Sequence, residues 1–322
     1  MEYAKLGASG LTVSRIALGC MSFGDPARGF SEWALDDDAA SEIFKQAVEL
    51  GITFWDTANV YGYGSSEEIV GRAIARYTRR EDVVLATKVY SRMDETPAGS
   101  GLSRKAIMHQ IDASLTRLGT EYVDLYQIHR FDSSTPIEET MEALHDVVKA
   151  GKARYVGASS MWAWQFASMQ HAADLHGWTR FISMQSQYSL MQREEEREMF
   201  GLLGHQGVAS IPWSPLAKGR LARPWGEETL RSDTDTFRHR YLGDHNRPIV
   251  EAVQQVAADL DVPMAQVALA WVLGKSPVVA PIVGPTSPHH LPDAVAALSL
   301  TLSPEQVAAL EDPYAPQLPS GF

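Results

Sequence analysis

Four side chains with complementary chemistry stand at the ends of three successive apolar runs. Asp56 closes ITFWDT (52–57), and Tyr61 follows five positions on in DTANVYGYGSSEEIVG (56–71). Lys88 closes VVLATK (83–88), and His129 closes VDLYQIH (123–129). A phenol is a poor acid at neutral pH, with a reference pKa of ~10. A neighbouring ammonium favours the phenolate and lowers that value. In this reading Asp56 holds Lys88 charged and in place, His129 donates a hydrogen bond to a carbonyl oxygen, and Tyr61 protonates the oxyanion as it forms. None of the four can deliver a hydride, so a cofactor is implied. Each residue alone has an ordinary explanation: a loop cap, half-buried packing, one partner of an ion pair, a structural histidine. The argument rests on the set.

The set requires elements that bring three strand ends together. Short apolar runs recur along the chain: RIALGC (15–20), ITFWDT, VVLATK, VDLYQIH, ARYVGAS (153–159), FISMQ (181–185), VASIPW (208–213) and VVAPIVG (278–284). Their continuous apolarity is that of parallel strands buried on both faces. Amphipathic stretches lie between them. Over 103–118, Ile107, Ile111, Leu115 and Leu118 share a face, with Ser103 as N-cap and Gly119 past the end. Over 137–150 the face is Ile137, Met141, Leu144 and Val148, with a capping box of Thr135 and Glu138 around Pro136, and Gly151 at the close. Ser65 and Glu68 read as a second capping box. Eight strand–helix units predict a single-domain (β/α)₈ TIM barrel over 1–322. AKLGASGLTVS before them predicts an N-terminal β-hairpin. Neighbouring strands are ~4.8 Å apart, so strands two, three and four can converge their C-terminal ends. A long connection from about 217 to 246 follows the seventh strand on that same face.

Composition narrows the functional classes. The net charge of −12 argues against a nucleic-acid partner, whose phosphates call for clustered Lys and Arg. No run reaches the ~18 apolar residues of a membrane span, and no secretory h-region opens the chain. The expectation is a cytoplasmic protein with no membrane partner. Cys20 is the sole cysteine and reads as a small buried side chain.

DTANVYGYGSSEEIVGRA, ATK, QIH, KARYVGASS, SMQSQY and IPWSPLAKGRL, in this order, resemble the aldo-keto reductases over essentially the whole chain. The GASSMWAWQF and QREEEREM segments resemble a bacterial subgroup that includes a 1-deoxyxylulose-5-phosphate synthase. The family resemblance implies reduction of a small-molecule aldehyde or ketone with NADPH or NADH, with Tyr61 as general acid and Asp56, Lys88 and His129 in the roles above. It also implies cofactor contacts: Ser159, Ser160 and Gln185 at the nicotinamide carboxamide, and Trp213 stacked on the ring. Ser214, Leu216, Lys218, Gly219 and Arg220 would wrap the pyrophosphate, and Gly284, Thr286, Ser287 and His290 would hold the adenosine end. Two alternatives are kept open by relatives: conversion of a sugar phosphate, with Arg130 meeting the phosphate, and a nicotinamide-binding regulatory subunit.

Departures from the family pattern bear on the cofactor. Ser160 stands where Asn is common. Ser287, His290 and Ala294 stand where a basic residue, Arg and Asn are frequent. A 2′-phosphate prefers a cation, which leaves Arg220 or a protonated histidine to compensate if NADPH is used. No dinucleotide or P-loop fingerprint is present. His289 and His290 read as helix-start residues rather than metal ligands, and no metal is expected. Glu194–Glu196 read as a solvated helix start. Trp33, Tyr63, Tyr90, Phe131 and Trp162, on loops at the strand ends, are candidates for a substrate pocket. Oligomeric state is not legible.

Overall fold

The computed structural model describes residues 1–29, 33–96, 98–227 and 243–319. Two short strands open the chain, β1 (Tyr3–Lys5) and β2 (Thr12–Ser14), paired antiparallel as the expected hairpin. Eight parallel strands follow: β3 (Ala17–Gly19), β4 (Phe54–Asp56), β5 (Val84–Val89), β6 (Val123–Ile128), β7 (Ala153–Ser159), β8 (Phe181–Gln185), β9 (Ala209–Ser210) and β10 (Ile282–Val283). They pair in sequence, and β10 lies beside β3. The sheet meets itself where Ser210 bridges Val278 and the Ile282 amide donates to the Pro212 carbonyl at 2.8 Å. This is the (β/α)₈ architecture with helices outside.

The last two strands are much shorter than the runs 208–213 and 278–284 predict. Pro212 ends the first run and Pro281 divides the second. A proline lacks the amide that a ladder needs, so pairing there reduces to isolated contacts.

The core has two layers. Leu6, Val13, Ala17, Phe54, Ala86, Leu125, Ala209, Ile211, Ala280 and Ile282 fill the barrel's lower interior. A larger cluster lies between sheet and helices, where the Phe44 ring packs on Phe23 and Trp55 at 4.6 and 5.1 Å. Ten α-helices are present among the described residues. Those nearest the site are α1 (Asp37–Glu49), α2 (Ser65–Tyr77), α3 (Arg104–Leu118) and α4 (Ile137–Lys149). Ser103 caps α3 through the Ala106 amide, and left-handed Gly119 ends it, as its sequence requires.

Three local expectations are overturned. Thr135 caps nothing: its hydroxyl donates to Asp132 at 2.8 Å, and α4 begins at Ile137 behind Pro136 without a side-chain cap. Ser65 is not a cap either. Gly64, at φ +92°, turns the chain into α2 one residue early, so Ser65 is already helical. Its hydroxyl instead donates to the Gly62 carbonyl at 2.8 Å and accepts the Asp25 amide at 2.9 Å, while Glu68 pairs with Arg28 at 2.7 Å. Finally, the Glu194–Glu196 turn is not a solvated face. Glu195 is buried, and burial, opposed by Ser186 and reinforced by Glu194, pushes its carboxyl up to about 7. Glu194 accepts hydrogen bonds from Tyr314 and from the Gln317 amide, so the turn docks the C-terminal segment.

Of the long 217–246 connection, residues 228–242 lie outside the described residues. Among the described residues no single helix is long and apolar enough to cross a membrane.

Candidate active site

The register of the central strands assembles the site. Asp56 pairs with Ala86, Lys88 with Gln127, and Gln127 with Gly157. These inward-facing residues stack above the apolar layer, toward the C-terminal ends where barrel active sites lie. Lys88 is fully buried and Asp56 is 2% exposed. Lys88 Nζ donates to Asp56 Oδ2 at 2.6 Å, to the Thr57 carbonyl at 2.8 Å and to Tyr61 Oη at 3.3 Å. Three acceptors saturate the ammonium's three donors. The His129 ring stands edge-on to Tyr61, centroids 5.7 Å apart. All four sequence candidates therefore meet.

Their electrostatics differ from expectation in one respect. Burial is the largest influence on Tyr61 and pushes its phenol above the usual value. Lys88 draws it down, but less strongly, and Asp56 raises it again. The lysine does not produce a phenolate because burial outweighs its pull, and Asp56 offsets part of that pull. For Lys88 itself burial works against the charge, but Asp56 and Tyr61 together outweigh it and hold the ammonium above its usual range. Burial, then the charges of Lys88 and Arg130, keep His129 well below its usual value, so the imidazole is neutral at physiological pH. Its Nδ1 is buried with no hydrogen-bond partner among the described residues.

The loop carrying Tyr61 rests on a second buried ion pair. Glu67 is fully buried on α2, and its carboxylate accepts from Arg117 Nε at 2.6 Å and from Thr87 Oγ1 at 2.5 Å. A Cβ at Gly64 would lie 2.6 Å from Arg117 Cδ, so only glycine lets this loop lie on the arginine stem.

The expected cofactor contacts fall in two groups. The first lies on the barrel rim. Ser159 Oγ donates to the Gln185 carbonyl at 2.7 Å, and Trp213 Nε1 donates to Ser160 Oγ at 3.1 Å. Ser160 is buried at φ +45°, a left-handed conformation that costs a non-glycine residue. It thus tethers the half-buried indole rather than presenting a free hydroxyl. Gln185 turns inward, its Nε2 donating to Asp56 Oδ1 at 3.0 Å and to Gln127 Oε1 at 3.2 Å. The second group lies on loops. Ser214, Ala217, Lys218 and Gly219 all have positive φ, between 46 and 87°. The Ala217 and Gly219 amides close this turn on the Ser214 and Leu216 carbonyls at 2.9 and 2.8 Å. Leu216 and Arg220 lie on the same turn. Arg223, which motif reading does not single out, packs against it: a Cβ at Gly219 would lie 2.8 Å from its guanidinium. Burial, then Arg220, holds the Arg223 guanidinium below its usual value.

At the expected adenosine end, Gly284, Thr286 and Ser287 lead into α9 (His290–Ala296). The Thr286 amide donates to His290 Nδ1 at 3.2 Å. A nitrogen that accepts carries no proton, so His290 does not serve as a protonated cation while this bond stands. Ala294 is buried in the helix. Among the described residues no cluster of His, Cys, Asp and Glu could hold a metal. Cys20 is buried, and burial pushes its thiol well up, so it is not a nucleophile.

Of the aromatic pocket candidates, Trp33 is buried, whereas Tyr63 and Trp162 are exposed at the mouth. Phe131 packs edge-on to Trp164 at 6.2 Å. The residue that sequence reasoning missed is Gln127. Its only sequence signal is a polar side chain interrupting the apolar run VDLYQIH two places before His129.

A family model described as "Aldo/keto reductase family" matches residues 15–314. The chain is 44% identical to the versiconal hemiacetal acetate reductase of Aspergillus parasiticus, with 98% of each chain covered. It is 43% identical to the aldo-keto reductase AMT2 of Alternaria alternata, over 99% of this chain and 93% of that one. It is 40% identical, over 98% of both, to a Saccharomyces cerevisiae protein named as an aryl-alcohol dehydrogenase. These relatives are fungal and none bears a deoxyxylulose-phosphate name, so the expected bacterial subgroup gains no support from them. A match that begins before the first barrel strand and ends past the last, beside near-full-length relatives, establishes that the chain belongs to the aldo/keto reductase family.

Proposed function

We propose that this protein reduces aromatic or similarly flat aldehydes and ketones, with NADPH as the preferred donor, through the Asp56–Tyr61–Lys88–His129 cluster. That it is an NAD(P)H-dependent carbonyl oxidoreductase follows from its family; the residue roles, the donor and the substrate class are our reading. The observation that carries it is the Lys88 ammonium, shared between Asp56 and the Tyr61 hydroxyl inside a barrel mouth.

The residues present suit a nicotinamide dinucleotide. Trp213 offers a ring face fixed by Ser160, with Ser159 and Gln185 beside it for the carboxamide. The cations Lys218, Arg220 and Arg223 on and beside the Ser214–Gly219 turn suit the phosphates, and Gly284, Thr286, Ser287 and His290 line the approach to the adenosine. Preference for NADPH rests on Arg220 and Arg223, since His290 is engaged at Nδ1. The bound cofactor supplies a hydride to the carbonyl carbon. Tyr61, held protonated by burial, gives its proton to the carbonyl oxygen. Lys88 stabilises the phenolate left behind, and Asp56 keeps Lys88 charged and aimed. Neutral His129 donates a hydrogen bond to the same oxygen and orients it. Tyr63 and Trp162 at the mouth, with Phe131 and Trp164 beyond, favour a flat apolar substrate. The relatives' names favour neither a sugar-phosphate conversion nor a regulatory subunit. The single cysteine suits the cytoplasm.

Cofactor oxidation is followed with a panel of aromatic aldehydes, using NADPH and NADH side by side, for wild type and Tyr61→Phe. Turnover in wild type and a loss of about 10²–10⁴-fold in the variant are expected. Equal rates would remove Tyr61 from its role.

A further inference from the structure

Gln127 occupies a position that charge balance does not require. Lys88 already neutralises Asp56 through Oδ2. On the other carboxylate oxygen, Gln127 Nε2 donates to Oδ1 at 2.9 Å and Gln185 Nε2 donates to the same atom at 3.0 Å. Gln185 Nε2 also donates to Gln127 Oε1 at 3.2 Å. The three side chains close a ring of hydrogen bonds. All three are almost completely removed from solvent, with Gln127 at 0% and Asp56 and Gln185 at 2% exposure.

The backbone makes room for this ring. Gly157 pairs with Gln127 across the sheet, and a Cβ there would lie 3.2 Å from Gln127 Cγ and 2.5 Å from Ser183 Oγ. Glycine at 157 leaves the space through which the glutamine reaches Asp56. At 127 the ring needs one group that both donates and accepts, and only a primary amide of this length does both without a second charge. With both Nε2 hydrogens of Gln185 spent, Gln185 can meet a ligand only through its carbonyl oxygen, as an acceptor.

We infer that Gln127 is a positioning residue that couples the cofactor seat at Gln185 to the proton-handling group Asp56–Lys88–Tyr61. The carboxylate of Asp56 is the shared element: Oδ1 fixes the Gln185 amide and Oδ2 fixes the Lys88 ammonium. This inference rests on the reading of Gln185 as a contact of the nicotinamide carboxamide.

The test uses the full chain and the variants Gln127→Met, Gln185→Met and the pair together. Dissociation constants are measured by fluorescence titration for NADPH and for 2′,5′-ADP, which lacks the nicotinamide. If wild type prefers NADH, NADH and ADP-ribose replace them. Loss of one buried amide contact predicts about 5- to 20-fold weaker binding of the whole cofactor by Gln127→Met. The adenosine fragment should bind within about twofold of wild type, because a local change at the nicotinamide seat does not reach it. The double variant should bind no more weakly than Gln185→Met alone, the non-additivity of groups in one network. The pH profile of kcat/KM should also shift in Gln127→Met, since Lys88 and Tyr61 lose their fixed geometry. Equal weakening of both ligands, additive effects, or a wild-type pH profile overturns the coupling. Should Gln127→Met not fold, Gln127→Glu serves. Its new carboxyl can complete the ring only when protonated, so cofactor affinity should fall as pH rises, more steeply than in wild type; parallel pH curves overturn the proposal. Wild type that binds no nicotinamide cofactor overturns the underlying reading as well, a separate result.

Discussion

Lys88 and Asp56 form an ion pair only 2.6 Å long and sealed from water. Removing one member strands the other. Lys88→Met should cost about 3–5 kcal/mol, the usual penalty for an uncompensated buried charge. Lys88→Met with Asp56→Asn should recover part of that stability but no activity. Urea unfolding of the two proteins, alongside wild type, checks both statements. A double variant no more stable than Lys88→Met would contradict this account of the pair.

A similar argument applies one turn away. Glu67 is fully buried against Arg117, which also supports the Tyr61 loop through Gly64. Arg117→Met should destabilise by about 3–5 kcal/mol, and Arg117→Met with Glu67→Met by clearly less. Turnover should stay depressed in both, because the loop has lost the stem it rests on. Full turnover in the restabilised double variant would show that the pair does not set Tyr61.

The activity should be insensitive to pH across the range in which a free histidine titrates. His129 is held well below its usual pKa and Tyr61 above its own. A plot of kcat/KM should therefore be flat from about pH 6 to 8 and fall only at alkaline pH, where the phenol loses its proton. A limb near 6.5 that disappears in His129→Asn would contradict the neutral imidazole.

Glu195 gives a stability effect of known sign. Burial raises its carboxyl to about 7 from the usual 4.5 of a glutamate. The folded protein therefore binds this proton more readily than the unfolded chain, and stability falls as pH rises between those values. The penalty is full above 7 and absent below about 4. Glu195→Gln should be more stable than wild type by about 1–3 kcal/mol at pH 8 and equal to it at pH 4. Denaturant midpoints at the two pH values decide, and a gain of the same size at both would assign it to packing.

The barrel was legible because each strand is a continuous apolar run and each helix carries one apolar face, both set by local periodicity. The four-residue cluster was legible because barrel topology forces strand ends together. What stayed hidden depends on contacts between distant residues. Ser65 looked like a helix cap by spacing, but the left-handed Gly64 shifts the helix start. Glu195 looked solvated beside other acids, yet the C-terminal segment through Tyr314 and Gln317 docks on its turn. The direction of the phenol shift is not legible in sequence because it is set first by how fully Tyr61 is buried, which outweighs the pull of Lys88. Gln127 has no motif; its importance comes from facing Asp56 across 71 positions of sequence.

Leu6, directly after the first strand of the opening hairpin, is fully buried with the lower barrel core, in one cluster with residues such as Phe54 and Ile282. The hairpin is therefore a stopper in the floor of the barrel. A vessel corked at the bottom is filled and emptied through its top. On the proposed function, reactant and electron donor share the opening at the C-terminal ends of the strands. That floor is completed by two strands of three residues each, Tyr3–Lys5 and Thr12–Ser14, on either side of a turn.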